Sequence, residues 1–291
     1  MKMLDPRWNT FLTVCETMNY TRAAERLCLT QPAVTHHIQY LEQHYGCRLF
    51  TYQGKMLRLT AQGQRLRELT LPMAYNSRKT DEAMAAKAPM SLRVGASKTI
   101  GEYVAAPNVE RFLRAHPEAE FSLLVDNTQA LLAALEAGRL DFVLIEGFFD
   151  SRKYESRTWR REEFFGVCAA GHRLAGRAVA LDELAGERLI LREEGSGTRA
   201  IFEDAMHRKN RTLAGFPGVV TISDFAAIKS LVADGLGVSF LYAPVVRREL
   251  ERGSLARFDI EDMPMSGSFS FVCLRDNLFA ASWADVSIHV E

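Results

Sequence analysis

Four short segments gather hydroxyl groups where helices are expected to begin, two of them with a single cation: Ser97-Lys98-Thr99, Asp126-Asn127-Thr128, Gly195-Ser196-Gly197-Thr198-Arg199 and Thr221-Ile222-Ser223. Free backbone N–H groups at a helix start attract anions, and glycine lets the backbone approach them closely. Such segments suit the holding of a small anion, with Ser97, Lys98, Thr99, Asn127, Thr128, Ser196, Gly197, Thr198 and Ser223 as its candidate contacts. Thr128 and Ser223 carry two readings, a helix cap alone or a cap that also meets the ligand. Ser97, Thr99, Ser196 and Thr198 stand in clusters with more hydroxyls than one cap uses, which favours ligand contact. Lys98 and Arg199 either neutralise a carboxylate or oxyanion or point into solvent.

A second concentration of hydrogen-bonding groups lies in residues 30–43. At 100° per residue, Val34, Ile38 and Leu41 share one side of a helix; Pro32, His36, Gln39 and Gln43 fall on the other, with Gln31 and Thr35 near its start. A face rich in amide and imidazole groups is suited to base edges in a DNA major groove. The competing reading is that any three-helix unit has a polar outer face.

Bond-making chemistry finds little support. Cys168 and His172 are close in sequence, but the thiol sits in an apolar strand pattern, which makes it inert. The seven histidines show no metal-ligand spacing, and GxSxG, Walker and GxGxxG strings are missing. The chain reads as a non-enzyme with no metal and no cofactor.

The elements that must position these groups follow from periodicity. Trp8, Phe11, Leu12 and Cys15 predict a helix over residues 6–18. Thr21 can cap a second helix over 22–27 carrying the small pair Ala23-Ala24. Thr30 can cap a third, with Pro32 in its first turn and Gly46 at its end. Leu49-Phe50, the turn Gln53-Gly54-Lys55 and the alternation Leu57-Arg58-Leu59 predict a basic hairpin. Helix-turn-helix plus hairpin is a winged helix-turn-helix, with Thr21, Arg22, Thr30, Gln31, Pro32, Thr35, His36, Gln39, Lys55 and Arg58 as candidate DNA contacts. Thr60 can cap a long helix from 61 toward 88 bearing Leu66, Leu69 and Met73, with Pro72 expected to bend or break it. One reading of those three apolar residues is that they simply cover the wing.

Beyond Pro89 strands and helices alternate. Strands are predicted over 92–95, 121–125, 142–145, 164–169, 189–191, 219–222, 238–242 and 269–274. Helices are predicted over 106–115, 130–137, near 181–184, after 198, over 224–233 and over 278–289. That order implies parallel sheets covered by helices, in two α/β lobes.

At 291 residues, 47% hydrophobic and 25% charged, the chain is of ordinary globular composition, which excludes disordered and fibrous classes. Five scattered cysteines and no long apolar run point to a cytoplasmic protein without a membrane partner. The zero net charge conceals an asymmetry: residues 1–90 hold 12 Lys and Arg against 7 Asp and Glu, while the remainder holds 24 against 29. A basic end on an acidic body fits a polyanion-binding module joined to a sensing domain.

The string Phe11, Tyr20-Thr21, Ala23-Ala24, Leu27, Thr30-Gln31-Pro32-Ala33-Val34-Thr35, Ile38, Leu41-Glu42, Gly46 and Leu49-Phe50, followed by Leu59-Thr60 and Gly63, resembles the DNA-binding domain of LysR-type transcriptional regulators. The resemblance continues along nearly the whole chain. It implies a winged helix-turn-helix over 1–60, a linker and dimerisation helix over 61–89, and a periplasmic-binding-protein-like effector domain over 90–291. Lobe I of that domain would hold about 90–162 and 266–291, and lobe II about 163–265. The segment Gly195-Ser196-Gly197-Thr198-Arg199 resembles that of the subgroup linked to sulfur, carbon or nitrogen assimilation, which senses small anions or carboxylate-bearing metabolites. Operator DNA, a homodimer or homotetramer and RNA polymerase are the partners implied. The chain departs from the family where Tyr52 and Thr35-His36 replace frequent arginines, which leaves Lys55 and Arg58 as the wing's cations. The alternative is a ligand-binding protein whose N-terminal module serves only oligomerisation.

Overall fold

The computed structural model describes residues 5–84, 90–261, 263 and 265–279. Helix α1, Pro6–Thr17, starts where the Asp5 carboxylate accepts from the Arg7 N–H. Helix α2, Tyr20–Leu27, is capped by Asn19, whose side-chain oxygen accepts from the N–H groups of Thr21 and Arg22. The expected Thr21 cap is thus displaced by two residues: an extended Asn19 presents its amide oxygen to the helix start, and Thr21 lies inside the first turn. Helix α3, Gln31–Tyr45, has the expected Thr30 cap and stops at Gly46, whose φ of 64° is left-handed. Phe11, Val14, Val34, Ile38 and Leu49 make the core, and Ala23 and Ala24 are buried between the helices, where a larger side chain would hold them apart.

Strands β1, Phe50–Gln53, and β2, Met56–Leu59, pair antiparallel around Gly54 to form the wing. Glu42 is buried beneath it; its carboxylate accepts from the N–H of Leu49 at 2.8 Å and from Arg48 Nη1 at 2.8 Å, tying the end of α3 to the wing. Helix α4, Ala61–Met84, opens where Thr60 Oγ1 accepts from the Gly63 N–H. Of the expected bend or break at Pro72, the break does not occur: the helix is continuous there, because proline removes only one N–H and Leu71, Ala74 and Tyr75 pack around it. Leu66 packs on the helix-turn-helix core, whereas Leu69 and Met73 are exposed. The part of this helix expected beyond residue 84 lies outside the described residues.

The remainder is mixed α/β. Strands β3 (Ser91–Ser97), β4 (Glu120–Asp126) and β5 (Phe142–Ile145) are parallel, joined through α5 (Lys98–Tyr103), α6 (Ala106–Ala115) and α7 (Thr128–Glu136). Strand β6, Tyr154–Ala169, follows, then β7 (Ala178–Val179), β8 (Leu189–Leu191), α8 (Gly197–Arg208), β9 (Val219–Thr221) and α9 (Phe225–Ala233). The chain continues through β10 (Ser239–Tyr242), α10 (Ala243–Glu251), β11 (Leu255–Ile260) and β12 (Ser266–Leu274). Strand β6 is the spine. Its first part pairs antiparallel with β12, which also flanks β5, and its last residues pair antiparallel with β10 and β11. Strands β8 and β9 are parallel beside β10.

Several expectations need correction. The sheets are mixed rather than parallel, because β6 runs against all its partners. Strand β6 is 16 residues long, its early part hidden from a hydropathy reading by Arg157, Arg160, Arg161, Glu162 and Glu163. Residues 181–186 form a 3-10 helix. Helix α10 and strand β11 were not anticipated. The predicted helix over 278–289 lies, from residue 280 on, outside the described residues. Among the described residues, no helix is long and apolar enough to cross a membrane.

Candidate functional site

Two surfaces gather the groups singled out above. On α3, Gln31, Pro32, His36 and Gln39 are exposed and Thr35 is half-buried, while Val34, Ile38 and Leu41 face the core. Gln31 Nε2 donates to Thr35 Oγ1 at 2.9 Å, which orients the amide at the helix start. Thr21, Arg22, Thr30, Lys55 and Arg58 are exposed as well, Thr30 with its hydroxyl engaged in the cap. His37 turns inward instead, its Nδ1 2.9 Å from Thr10 Oγ1. Arg7 and Tyr40 were not anticipated: the Arg7 guanidinium lies 3.6 Å from the centre of the Tyr40 ring, a cation–π contact on the flank of α3. Tyr52 is 65% exposed on the wing, where it offers a ring and a hydroxyl instead of a cation.

The second surface is the cleft between the two halves of the α/β body. Sequence reading named hydroxyls there but missed the group on which they converge. Glu146 follows β5 and is 1% exposed. Its Oε1 accepts from Thr99 Oγ1 at 3.0 Å and Thr198 Oγ1 at 3.2 Å, and its Oε2 accepts a short bond from Ser97 Oγ. Thr128 Oγ1 donates to its main-chain oxygen at 3.1 Å. Burial pushes the Glu146 carboxyl above the usual carboxylate range, against the opposing pull of the three hydroxyls and of Arg192. The signal that could have found it is a lone acid closing the apolar run of β5, at the carboxyl end where open α/β sheets bind ligands.

The two halves touch around this carboxylate. Lys98 Nζ donates to the Ser223 carbonyl at 2.7 Å, and the Gln129 N–H donates to the Gly195 carbonyl at 3.1 Å. Gly147, with a φ of 92°, backs onto Gly197, where a Cβ on Gly147 would lie 2.6 Å from the Gly197 Cα. Ser196 and Gly197 are buried at the start of α8. Asn127 caps α7 through its side-chain oxygen, so Thr128 is not the cap and its hydroxyl turns to Glu146. Asp224, not Ser223, caps α9, because its carboxylate reaches the Ala227 N–H; Ser223 is exposed and enters through its carbonyl. Arg199 is held by Glu203 and the Arg192 carbonyl instead of extending freely into solvent. Arg192 is 2% exposed, forks onto Glu193 at 2.7 and 2.9 Å and lies 4.4 Å from the Phe225 ring centre, and its Nη1 has no hydrogen-bond partner among the described residues.

Away from the cleft, burial pushes the Cys168 thiol up to about 11 and it donates to the Ala256 carbonyl, while His172 turns to Glu187; the two form no nucleophilic pair.

Comparison with known proteins gives the family. The model described as bacterial regulatory helix-turn-helix protein, lysR family, matches residues 7–64, and that described as LysR substrate binding domain matches residues 86–283. The chain is 28% identical over 268 residues to the transcriptional regulator CysL of Bacillus subtilis, covering 90% of this chain and 88% of that one. It is 30% identical to the RuBisCO operon transcriptional regulator of Allochromatium vinosum, covering 87% and 84%. Among solved structures, full-length OxyR from Pseudomonas aeruginosa is similar with a TM-score of 0.66 at 23% identity, covering 99% of this chain and 94% of that one. The regulatory domain of CcmR from Synechocystis, solved with 2-PG, gives 0.61 at 22% identity over 68% of this chain and 95% of that one. An exposed recognition helix, a two-part α/β body and two family models that together span most of the chain lead to one assignment: this protein belongs to the LysR family and is a transcriptional regulator, not an enzyme.

Proposed function

We propose that the protein is a cytoplasmic regulator that reads a partly palindromic operator and changes its grip when a small anionic metabolite enters the cleft. The observation that carries the reading is the convergence of Ser97, Thr99 and Thr198 on a single carboxylate. A cleft that already satisfies one buried carboxylate has the donors for another oxyanion. The regulatory domain of CcmR, similar in fold, was solved in complex with a small molecule, 2-PG.

The residues put forward for DNA are Gln31, Thr35, His36 and Gln39 at base edges, and Thr21, Arg22, Thr30, Lys55 and Arg58 at phosphates, with Pro32 shaping the helix start. Leu69 and Met73, exposed on α4, are put forward for pairing with a second copy, and a tetramer would follow from pairing of dimers. Exposure of the polar side of α3 favours DNA over a module used only in oligomerisation. Effector binding would act by population shift, and a coupling of about 1–3 kcal/mol would change operator affinity roughly 5- to 150-fold.

The test is a mobility shift on the chain's own upstream DNA with a panel of small phosphorylated and carboxylated metabolites. An anion that changes operator affinity in the native protein, and no longer does in Ser97→Ala/Thr198→Ala, is the expected result. If no member of the panel does so, or if the response survives the double substitution, the reading of the cleft is overturned.

A further inference from the structure

Helix α3 carries neither lysine nor arginine, and its one acid, Glu42, is turned under the wing. A helix laid in a major groove passes between two walls of phosphate, so its contacts there need a neutral donor or help from another element. Tyr40 offers such a donor. At 100° per residue it stands about 40° from His36 and about 60° from Gln43, on the side away from Val34, Ile38 and Leu41. It is 44% exposed. Along the helix axis it lies about 13 Å beyond Gln31, at 1.5 Å per residue. A major groove is about 12 Å wide, so with Gln31 among the base edges Tyr40 comes out at the rim, where the phosphates stand.

An exposed tyrosine on a helix ordinarily turns freely, and fixing it costs rotamer entropy. This ring is held from two sides. The Arg7 guanidinium, from the first turn of α1, lies 3.6 Å from its centre, and the His44 ring stacks one turn further along α3, 6.3 Å away and 4° from parallel. His44 meets Tyr45 edge-on at 4.8 Å, and Tyr45 lies 6.0 Å from Trp8, which closes the group back onto α1. Arg7 is itself held by Asp5, whose carboxylate is 3.3 Å from its Nε. These contacts engage the ring and leave the phenol: the Tyr40 hydroxyl has no hydrogen-bond partner among the described residues. Joining α1 to α3 does not require the group, because Phe11, Val14, Val34 and Ile38 already do so in the core, and Tyr40 lies outside it.

We propose that Tyr40 donates its hydroxyl to an operator phosphate at the rim of the major groove, and that Arg7 is the positioning residue that holds its ring for that contact. The inference rests on the reading of α3 as the DNA-reading helix. The phosphate is given to Tyr40 and not to Arg7, because the Asp5 carboxylate beside Arg7 is 42% exposed and would face the same phosphate with like charge. A ring fixed before binding has already given up its rotamer freedom, so more of the hydrogen bond's strength appears in the complex. A neutral donor displaces no counterion, which separates this contact from those of Lys55 and Arg58 in a salt series.

The experiment uses the full chain and fluorescence anisotropy on two duplexes, the chain's own upstream DNA and a random sequence, at several salt concentrations. Tyr40→Phe keeps the ring and removes only the hydroxyl. It is expected to weaken both complexes about tenfold, the effect of losing a hydrogen bond to a charged group, with discrimination and salt slope as in the native protein. Arg7→Gln is expected to weaken both duplexes as well, but by less than about twofold once Tyr40→Phe is present, since a positioning residue has nothing left to position. Arg7→Lys, which keeps a cation over the ring, should recover most of the loss. A merely structural Arg7 would instead cost the same with and without the hydroxyl, and that result overturns its role. Native affinity in Tyr40→Phe on both duplexes overturns the contact, and a loss confined to the upstream DNA assigns the hydroxyl to a base and overturns the phosphate. Failure of the α3 reading looks different: Gln31→Ala would then leave discrimination unchanged, whereas lost discrimination there beside a harmless Tyr40→Phe defeats this proposal alone.

Discussion

Lys79 on α4 stands 3.1 Å from the carboxylate of Asp141, which is fully buried at the approach to β5. Arg93 completes the arrangement, giving Asp141 one bond from its main-chain N–H at 2.8 Å and one from its guanidinium at 2.9 Å. A second tie runs from Arg67 to Glu136 at 2.7 Å, with the Tyr154 hydroxyl donating to the same carboxylate at 2.6 Å. The long helix that follows the helix-turn-helix is therefore tied to the first half of the α/β body by two groups of charged side chains, one buried at Asp141 and one part-buried at Glu136.

Asp141→Asn tests this joint. Burial alone would push the Asp141 carboxyl up, but its bonds from Arg93 and the charges of Lys79 and Arg93 outweigh burial and hold it below its ordinary 3.8. A carboxylate with a lowered folded-state pKa adds stability above its unfolded pKa and loses it as pH falls through the folded value. The substitution should cost about 3–5 kcal/mol in urea unfolding at neutral pH, the range for breaking a buried ion pair. The difference from native should shrink as pH falls below 3.8. A constant difference across that range would remove the charge from the explanation.

Glu146 gives the opposite sign. Its folded-state pKa lies above the 4.5 of an ordinary glutamate, so the folded protein binds more protons than the unfolded chain between those two values. Stability then falls as pH rises from 4.5 through the folded pKa, and it is greatest below that window. In Glu146→Gln the slope disappears. Urea midpoints measured from pH 5 to pH 8 should converge at the acid end and separate, with the variant ahead, at the alkaline end; parallel curves would contradict the assignment.

Gly197→Ala examines the contact between the halves. A Cβ there meets the Glu146 carbonyl and, beyond it, the Thr128 hydroxyl at 2.9 Å. Overpacking of this kind costs about 1–3 kcal/mol. The added methyl should hold the cleft open, which small-angle scattering would record as a larger radius of gyration for the variant. An unchanged radius with unchanged stability would show that the close approach is relieved locally.

The parts of the fold that could be read from sequence are those in which neighbours in the chain do the work. Val34, Ile38 and Leu41 declare the core side of α3 by spacing alone, and Gly46 and Gly54 mark its end and the wing turn. Strand β6 was legible only in its apolar last residues, because its charged first part is made a strand by pairing with β12, more than 100 residues later in the chain. The same division holds in the cleft. Hydroxyls at helix starts were visible one segment at a time, but Ser97 and Thr198 lie 49 and 52 residues from Glu146, and only the folded chain brings them to one carboxylate. Thr21 and Thr128 were misassigned as caps because a capping side chain one or two residues earlier, Asn19 or Asn127, competes for the same N–H groups.

The DNA-reading face makes the last prediction, and it separates two kinds of contact. Gln31 and Thr35 are joined by a 2.9 Å hydrogen bond at the exposed start of α3, so either substitution to Ala also frees the other side chain. A base contact of this type contributes about 1–3 kcal/mol of discrimination, and its loss should narrow the gap between operator and random DNA. Lys55 and Arg58 are exposed on the wing, where a phosphate contact carries no sequence information. Replacing either with Ala should weaken operator and random DNA alike and lower the slope of log affinity against log salt by about one. Fluorescence anisotropy on both DNAs at several salt concentrations reads the two effects in a single series. If Gln31→Ala changed only the salt slope, or Lys55→Ala only the discrimination, the roles given to α3 and the wing would have to be exchanged.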